Sequence, residues 1–362
     1  MKSLVFTVTN DLSFDQRMHR ICNSLALAGY QVTLVGRKMP RSRPLVQLSF
    51  KQKRLNCFFT KGKLMYAAFN LRLFFYLLFS KADLFCAIDL DTILPVYFAS
   101  RIKRIKRVYD AHELFTEQKE IVTRPAIQKM WLKIEKFAVP KYSHGYSVNN
   151  FIVEELQRRY GVKYSIVRNL PRCTFLPDKQ TADPPFIIYQ GAVNEGRSFE
   201  TLVPAMLEVN AKLVVCGEGN FYEKLKDLIT KHNAKNKIEL KGYVSPTDLA
   251  ALTPRAHIAV MLFENTGLNQ YYSLANRFFD YITAGVPQVC VDFPEYRAIN
   301  DVYKIAYMIP DTHSQTIANA LNNLLKDAVL YDNLKENCLK AREFLNWENE
   351  EKVLLSFYKL LW

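Results

Sequence analysis

The segment YYSLANRFFDYITAGVP, residues 271–287, reads as a helix carrying Asn276, Arg277 and Asp280 on adjacent turns and closed by Gly285 and Pro287. Glycine just past a helix with proline soon after is a stop signal. Upstream lie the apolar run 258–263, which has the character of a strand, and the polar loop FENTGLNQ, residues 263–270. A helix that follows a strand in an α/β sheet aims its N-terminal amides at the crevice where ligands bind. Arg277 adds positive charge there, and Asp280, one turn on, is placed to accept hydrogen bonds from a sugar diol. The stretch is a candidate site for a nucleotide-linked sugar, and Asn269, Ser273 and Asn276 join the candidate set beside it.

Outward from this segment the same alternation repeats. Short β-rich runs at 186–190, 213–216, 238–241, 288–291 and 305–309 alternate with amphipathic helices, which implies a parallel sheet covered by helices. The first half repeats it with runs at 4–8, 32–35, 57–60, 84–88, 107–110 and 145–148, and with helices that include 14–28, stopped by Gly29, and 91–100. Between the halves, RNLPRCTFLPDKQTADPP at 168–185 holds four prolines and little periodicity, the signature of a linker. The expected organisation is a domain over 1–167, a linker over 168–185, a second domain over 186–345 and a terminal helix over 346–362 with Val353, Leu354, Phe357 and Leu361 on one side. Two α/β domains so joined enclose a cleft, a common ligand site.

Composition narrows the class. The 362 residues suffice for two domains, and 49% hydrophobic with 23% charged residues describes a globular chain. Seven scattered cysteines, never in a CxxC, point to reduced thiols in a cytoplasmic protein without a disulfide framework or zinc site. MKSLVFTVTND at the start reads as a first strand rather than a signal peptide. The net charge of +14 gathers in residues 37–54 and in RIKRIKR at 101–107. Such runs are either a solvated basic face or an attraction to anions, and without a nucleic-acid-binding motif a phosphorylated substrate or an anionic membrane surface is favoured over nucleic acid. LMYAAFNLRLFFYLLFS at 64–80 is shorter than a membrane span and is interrupted by Asn70 and Arg72. A buried crossover helix is the first reading; an interfacial helix seating the protein peripherally at the inner face of a membrane is the alternative.

Three other strand ends carry chemistry. Tyr189-Gln190-Gly191-Ala192-Val193 runs into Asn194-Glu195-Gly196-Arg197, where Gly191 admits a ligand to the backbone and Arg197 can clamp phosphate. In VVCGEGN, Gly217 and Gly219 begin a dinucleotide fingerprint, but position 222 is Tyr, so a nicotinamide enzyme is disfavoured and a tight turn with exposed amides remains. YDAHEL places His112 and Glu113 at a strand end of the first domain; position 116 is Thr, so this is not the HExxH of a zinc protease. Asp11, Asp15 and Arg17 follow the first strand, and Asp89 and Asp91 the fourth, as acceptor ligands or a base, with helix capping the competing role for Asp11, Asp15 and Asp91.

Taken in order, TNDLSFDQRMHRICNSLALAGYQVTLVGR, VYDAHELFTE, YQGAVNEGRSFETLVPAM, LVVCGEGN, IELKGYV, SLANRFFDYITAGVPQV and NWENEEKVLLSFYKLL resemble a glycosyltransferase of the GT-B fold, in the retaining family 4 (group 1). The resemblance implies two Rossmann-like domains facing each other across a cleft, the second binding a nucleoside-diphosphate sugar and the first a glycan or lipid-linked acceptor, with a closing helix that crosses back. It implies that Arg197 contacts the diphosphate, Gly217 and Gly219 line the nucleotide pocket, Tyr243 and Val244 touch the base and Asp280 holds the ribose. His112 is placed near the donor sugar, with Glu113 and Asp15 as companion catalytic candidates. No metal or cofactor is implied, since helix amides and basic side chains offset the leaving diphosphate. In the family's Glu-x7-Glu pattern the second acid falls at Asp280 and the first at Tyr272, and Glu264 lies too far upstream to replace it. A non-catalytic subunit of the same fold and a sugar-nucleotide epimerase stand as alternatives.

Overall fold

The computed structural model describes residues 1–13, 15–40, 42–60, 62–173 and 184–362. Two compact units result: unit 1 is Met1–Asn169 with Glu350–Trp362, and unit 2 is Leu170–Asn349. Most of the expected linker, 174–183, lies outside the described residues, as does Phe14, the expected start of the first helix.

Unit 1 is built on a seven-stranded parallel sheet ordered β3-β2-β1-β4-β5-β6-β7. Its strands are β1 Ser3–Thr7, β2 Gln31–Arg37, β3 Lys51–Leu55, β4 Leu84–Ile88, β5 Lys106–Ala111, β6 Gly145–Ser147 and β7 Ser165–Ile166. The central strand β4, LFCAI, is buried at every position, as a strand covered on both faces must be. One strand differs from expectation. The third is KQKRL at Lys51–Leu55, paired with β2, and the apolar run 57–60 lies beyond it. An edge strand has one neighbour and tolerates charge on its side chains, so the strand hid inside a basic run. β7, two residues long, also went unread.

Unit 2 carries a six-stranded parallel sheet ordered β10-β9-β8-β11-β12-β13. Its strands are β8 Phe186–Gln190, β9 Lys212–Cys216, β10 Ile238–Gly242, β11 Ile258–Met261, β12 Gln288–Val291 and β13 Ala306–Ile309. Each sheet has its own apolar core. In both orders the chain moves outward from the first strand, returns, and continues on the other side. That reversal leaves a crevice at the carboxyl ends of the strands, the usual place for ligands.

Two helices need correction. The expected helix over 271–287 is instead a single turn, Leu268–Tyr271, then an irregular bend, then the helix Asn276–Ala284. Tyr272 and Ser273 therefore precede the helix that holds Arg277 and Asp280. Gly285 stops it in the left-handed conformation, φ 63°, as the glycine predicts. The last helix, Trp347–Lys359, buries Leu354 and Tyr358 while Val353, one position round, is exposed. Its Tyr358 meets Phe6 at 5.9 Å and Tyr146 at 6.2 Å, tying the C-terminus into the core of unit 1. Truncation of Tyr358 to Ala should destabilise unit 1 by on the order of 3–4 kcal/mol; hydrogen exchange of the β1 and β6 amides in the full chain should accelerate, with little change in unit 2.

Candidate functional site

In unit 2 the site begins with a backbone contact. β8 and β9 end side by side, and a Cβ at Gly217 would lie 1.8 Å from the carbonyl oxygen of Gly191. The Gly217 backbone, φ 152°, also lies where side chains are strained. A Cβ at Gly219 would meet Val193 O at 2.3 Å. The following loops are stitched by reciprocal side-chain bonds: Asn220 N donates to Asn194 Oδ1 and Glu195 N to Asn220 Oδ1, both at 3.1 Å. The sequence marked these glycines for ligand access; the structure gives a first reason in chain packing. Replacing Gly217 by Ala should cost on the order of 3 kcal/mol, read as a lowered urea midpoint for unit 2.

Two arginines converge beyond those turns. Phe263, just past β11, carries the Arg197 guanidinium at 4.1 Å from its ring centroid and that of Arg277 at 4.7 Å. Arg277 also lies 4.8 Å from the Tyr189 ring. Arg277 is the second residue of the helix Asn276–Ala284, whose N-cap, Ala275, offers no capping side chain. The residue is only 8% exposed, and its Nε and Nη2 are buried without a hydrogen-bond partner among the described residues. The absence of a side chain at Gly191 lets the guanidinium lie against the strand end, with Nη1 3.4 Å from where a Cβ would stand. Aromatic rings compensate a buried cation in part; they do not satisfy its N–H groups.

Asp280 sits one turn further along. Its Oδ2 accepts from Gln190 Nε2 at 3.0 Å, and Gln190 Oε1 in turn accepts from Thr253 Oγ1 at 2.7 Å. Gln190 and Thr253 are both buried, so they fix the carboxylate's orientation. Ser273 Oγ lies 3.4 Å from Tyr296 Oη, which accepts from Ala275 N at 3.1 Å and so holds the bend before the helix. Tyr243, at the end of β10, is exposed with its amide 3.4 Å from Glu218 Oε1; Val244 follows, half-buried and packed toward the core. Asn269 lies in the single turn Leu268–Tyr271, and Tyr272 stacks edge-on with Tyr271 at 4.9 Å. The structure thus brings Gly191, Arg197, Gly217, Gly219, Arg277 and Asp280 to one strand-end crevice. Phe263, Gln190 and Thr253 were missed, because an aromatic, an amide and a hydroxyl act here only through what they hold.

Unit 1 has its own cluster at the carboxyl ends of β4 and β5. Buried Arg17 donates to Asp110 Oδ1 and to the Val167 carbonyl, both at 3.0 Å. His112 Nε2 lies 2.9 Å from Arg17 Nε and 3.0 Å from Asp110 Oδ2, while Nδ1 is 3.6 Å from Asp89 Oδ2. Burial opposes charge on this imidazole, but Asp110 and Asp89 outweigh it and raise its pKa to about 9. The imidazolium therefore sits between the Asp110 and Asp89 carboxylates as their ion partner. Burial raises Asp89 to about 7 against the pull of His112, and raises Asp91 to about 6 against its hydrogen bond from Thr9. Asp89 takes a left-handed φ of 55°, a conformation that costs a non-glycine residue energy, and it accepts from the His112 amide at 2.9 Å. Glu113 accepts from Gln118 Nε2 at 2.5 Å. Asp15 caps the helix Gln16–Leu27, accepting from Met18 N at 3.1 Å, the competing role noted for it. Asp11 is paired with Arg54 at 2.7 Å. Asp110 was missed, although one acid inside the otherwise apolar strand VYDA was its signal.

The sign of the His112 shift fixes a pH dependence. The unfolded imidazole titrates near 6.5 and the folded one near 9. Its stabilisation is complete below about pH 6.5 and is lost as pH rises through 9. The thermal midpoint should fall over that window, the fall should flatten in His112→Gln, and the His112 ring protons should titrate near 9 by NMR; a midpoint near 6.5 would contradict the cluster.

The family model described as "Glycosyl transferases group 1" matches residues 176–341, and that described as "Glycosyltransferase Family 4" matches residues 16–173. A poly(glycerol-phosphate) alpha-glucosyltransferase of Bacillus subtilis is 28% identical over 149 residues, 41% of this chain and 20% of that protein. The matched region spans less than half the length of the curated relatives. Among solved structures, sucrose-phosphate synthase from Thermosynechococcus elongatus has a TM-score of 0.82 at 17% identity, covering 100% of this chain and 99% of that one. Anabaena HepE, solved with UDP and glucose, has a TM-score of 0.78 at 12% identity, covering 99% of this chain and 100% of that one. At such identities the structures establish the GT-B fold.

Proposed function

Because this chain belongs to the group 1 glycosyltransferases and has the GT-B fold, we propose that it transfers a hexose from a nucleoside-diphosphate sugar to a glycan or lipid-linked acceptor of the cell envelope or of a polysaccharide, with retention of configuration and without a metal or other cofactor. The observation that carries the reading is Arg277: a buried cation with unsatisfied N–H groups, at an uncapped helix N-terminus, sharing a ring with a second arginine. An anion completes this arrangement, and a diphosphate supplies both the charge and the several acceptor oxygens it lacks. When the bond between the anomeric carbon and the diphosphate breaks, negative charge grows on the departing oxygen, where Arg277, Arg197 and the helix amides lower its energy. Retention rests on the family resemblance.

Asp280, held by Gln190, is the ribose ligand in this scheme; the exposed Tyr243 ring and Val244 border the base, and Asn269, Ser273 and Asn276 the donor's sugar side. The UDP and glucose of the HepE structure support a uridine nucleotide as the first ligand to test. In unit 1, Asp89, Asp91 and the His112 imidazolium, with Glu113 alongside, present donors and acceptors suited to sugar hydroxyls. We place catalysis in the cytoplasm, where nucleotide sugars are made. A second reading has one observation behind it: Tyr272 stands where the family's first acid is expected, which suits a subunit that keeps the fold and has lost turnover.

Isothermal titration with UDP and GDP separates these readings. Binding is expected, with Arg277→Ala weakening it by on the order of 2–3 kcal/mol, roughly 30- to 150-fold in Kd, and Asp280→Ala by roughly tenfold. No heat at millimolar nucleotide would sink the donor site; tight binding without sugar transfer would favour the non-catalytic subunit.

A further inference from the structure

Unit 1 exposes an apolar face that its Arg17–Asp110–His112 cluster does not explain. The helix Gly62–Phe79, GKLMYAAFNLRLFFYLLF, is apolar on every side. Met65, Phe69, Leu73 and Leu77 are buried a turn apart toward the helix Ile93–Lys103. The other side presents Leu64, 61% exposed, then Leu71 and Phe75, then Phe79, 85% exposed. Their spacing keeps them in one stripe, about 22 Å long at 1.5 Å per residue. The neighbouring helix adds exposed Phe98 and Ile102. Soluble chains seldom leave so continuous an apolar surface in water.

The sequence around this stripe is strongly basic, with Asp83, paired to Lys2, the acid that follows it. Residues 16–82 contain 13 Lys and Arg and not one Asp or Glu, and residues 92–109 likewise contain no acid. Exposed Lys63 and Lys81 bracket the helix at its two ends, and Arg72 lies on the stripe's side, its guanidinium 5.2 Å from the ring of exposed Phe58. No described helix is long and apolar enough to cross a membrane. A helix with aromatic and aliphatic side chains in the middle, cations at its ends and no acid of its own is built to lie in the plane of a membrane interface.

We infer that this face of unit 1 seats the protein on an anionic lipid bilayer, with the helix Gly62–Phe79 lying flat and Leu71, Phe75 and Phe79 entering the acyl boundary. The inference uses the surface of unit 1 alone and does not depend on the donor reading of unit 2. Co-sedimentation with phosphatidylcholine vesicles, with and without roughly 30 mol% phosphatidylglycerol, tests it. Binding is expected to the anionic vesicles, falling between about 0.1 M and about 0.5 M salt. The double variant Phe75→Ser with Phe79→Ser should lose at least about tenfold, and Lys63→Gln or Lys81→Gln roughly fivefold each. These positions are exposed, so circular dichroism of each variant should match the parent and confirm that it folds. Equal partition of parent and double serine variant overturns the inference. So does equal binding to uncharged vesicles. A parent that dimerises without lipid, and becomes monomeric in the double variant by sedimentation velocity, assigns the face to a second copy instead.

Discussion

A guanidinium kept out of water, with no carboxylate paired to it among the described residues, organises the strand-end crevice of unit 2. Desolvating such a cation is costly, and the surroundings of Arg277 all bear on that cost. Tyr189 and Phe263 offer ring faces, Gly191 has no side chain to intrude, and the helix Asn276–Ala284 begins one residue earlier with no side-chain cap. None of these groups accepts a hydrogen bond from Nε or Nη2. On the proposed reading the site is preorganised for an anion in the sense that matters energetically: the cation is fixed and dehydrated beforehand, so a diphosphate would not need to supply that work.

Unit 1 makes the contrasting choice with a residue of the same type. Arg17 is as deeply buried as Arg277, but Asp110 and the Val167 carbonyl accept hydrogen bonds from it. Its charge is answered inside the protein, so it fixes the end of β5 and asks for no ligand. The unsettled charge lies one layer out, on Asp89 and Asp91, whose burial holds their pKa values at about 7 and about 6. Two carboxylates poised near neutrality beside an imidazolium can donate or accept, which suits an acceptor with several hydroxyls. The two units thus present opposite electrostatic invitations, cationic in unit 2 and acidic with a single cation in unit 1.

What the sequence disclosed follows the same division. Strand ends were legible because glycine, proline and the period of apolar residues announce them, and the residues flagged there, Gly191, Arg197, Gly217, Arg277, Asp280 and His112, lie at strand ends or in the helix that follows one. Legibility failed where a residue's meaning depends on distant neighbours. Lys51–Leu55 is a strand only because β2 offers an edge, and its charges masked it. The bend at Tyr272–Ala275 breaks a helix that local propensity would continue, because the Tyr296 hydroxyl takes the Ala275 amide. Gln190 and Thr253 orient Asp280 across 90 and 63 positions of chain, a link no local pattern carries.

The helix Gly62–Phe79 shows that two readings of one sequence need not compete. Its apolar run suits both a buried crossover and an interfacial segment, and periodicity could not separate them because every side of the helix is apolar. The structure assigns the inner side to the crossover and leaves the outer side exposed, where the inferred interface would form. The Met65, Phe69, Leu73, Leu77 ladder does the work of a crossover helix between β3 and β4. The Leu64, Leu71, Phe75, Phe79 ladder is surplus to the fold and would cost solubility if it served nothing. A crossover helix in a parallel sheet needs only its inner side apolar. The outer ladder, set in a long stretch from which Asp and Glu are absent, is therefore the part of this surface whose composition the fold leaves unexplained and an anionic interface explains.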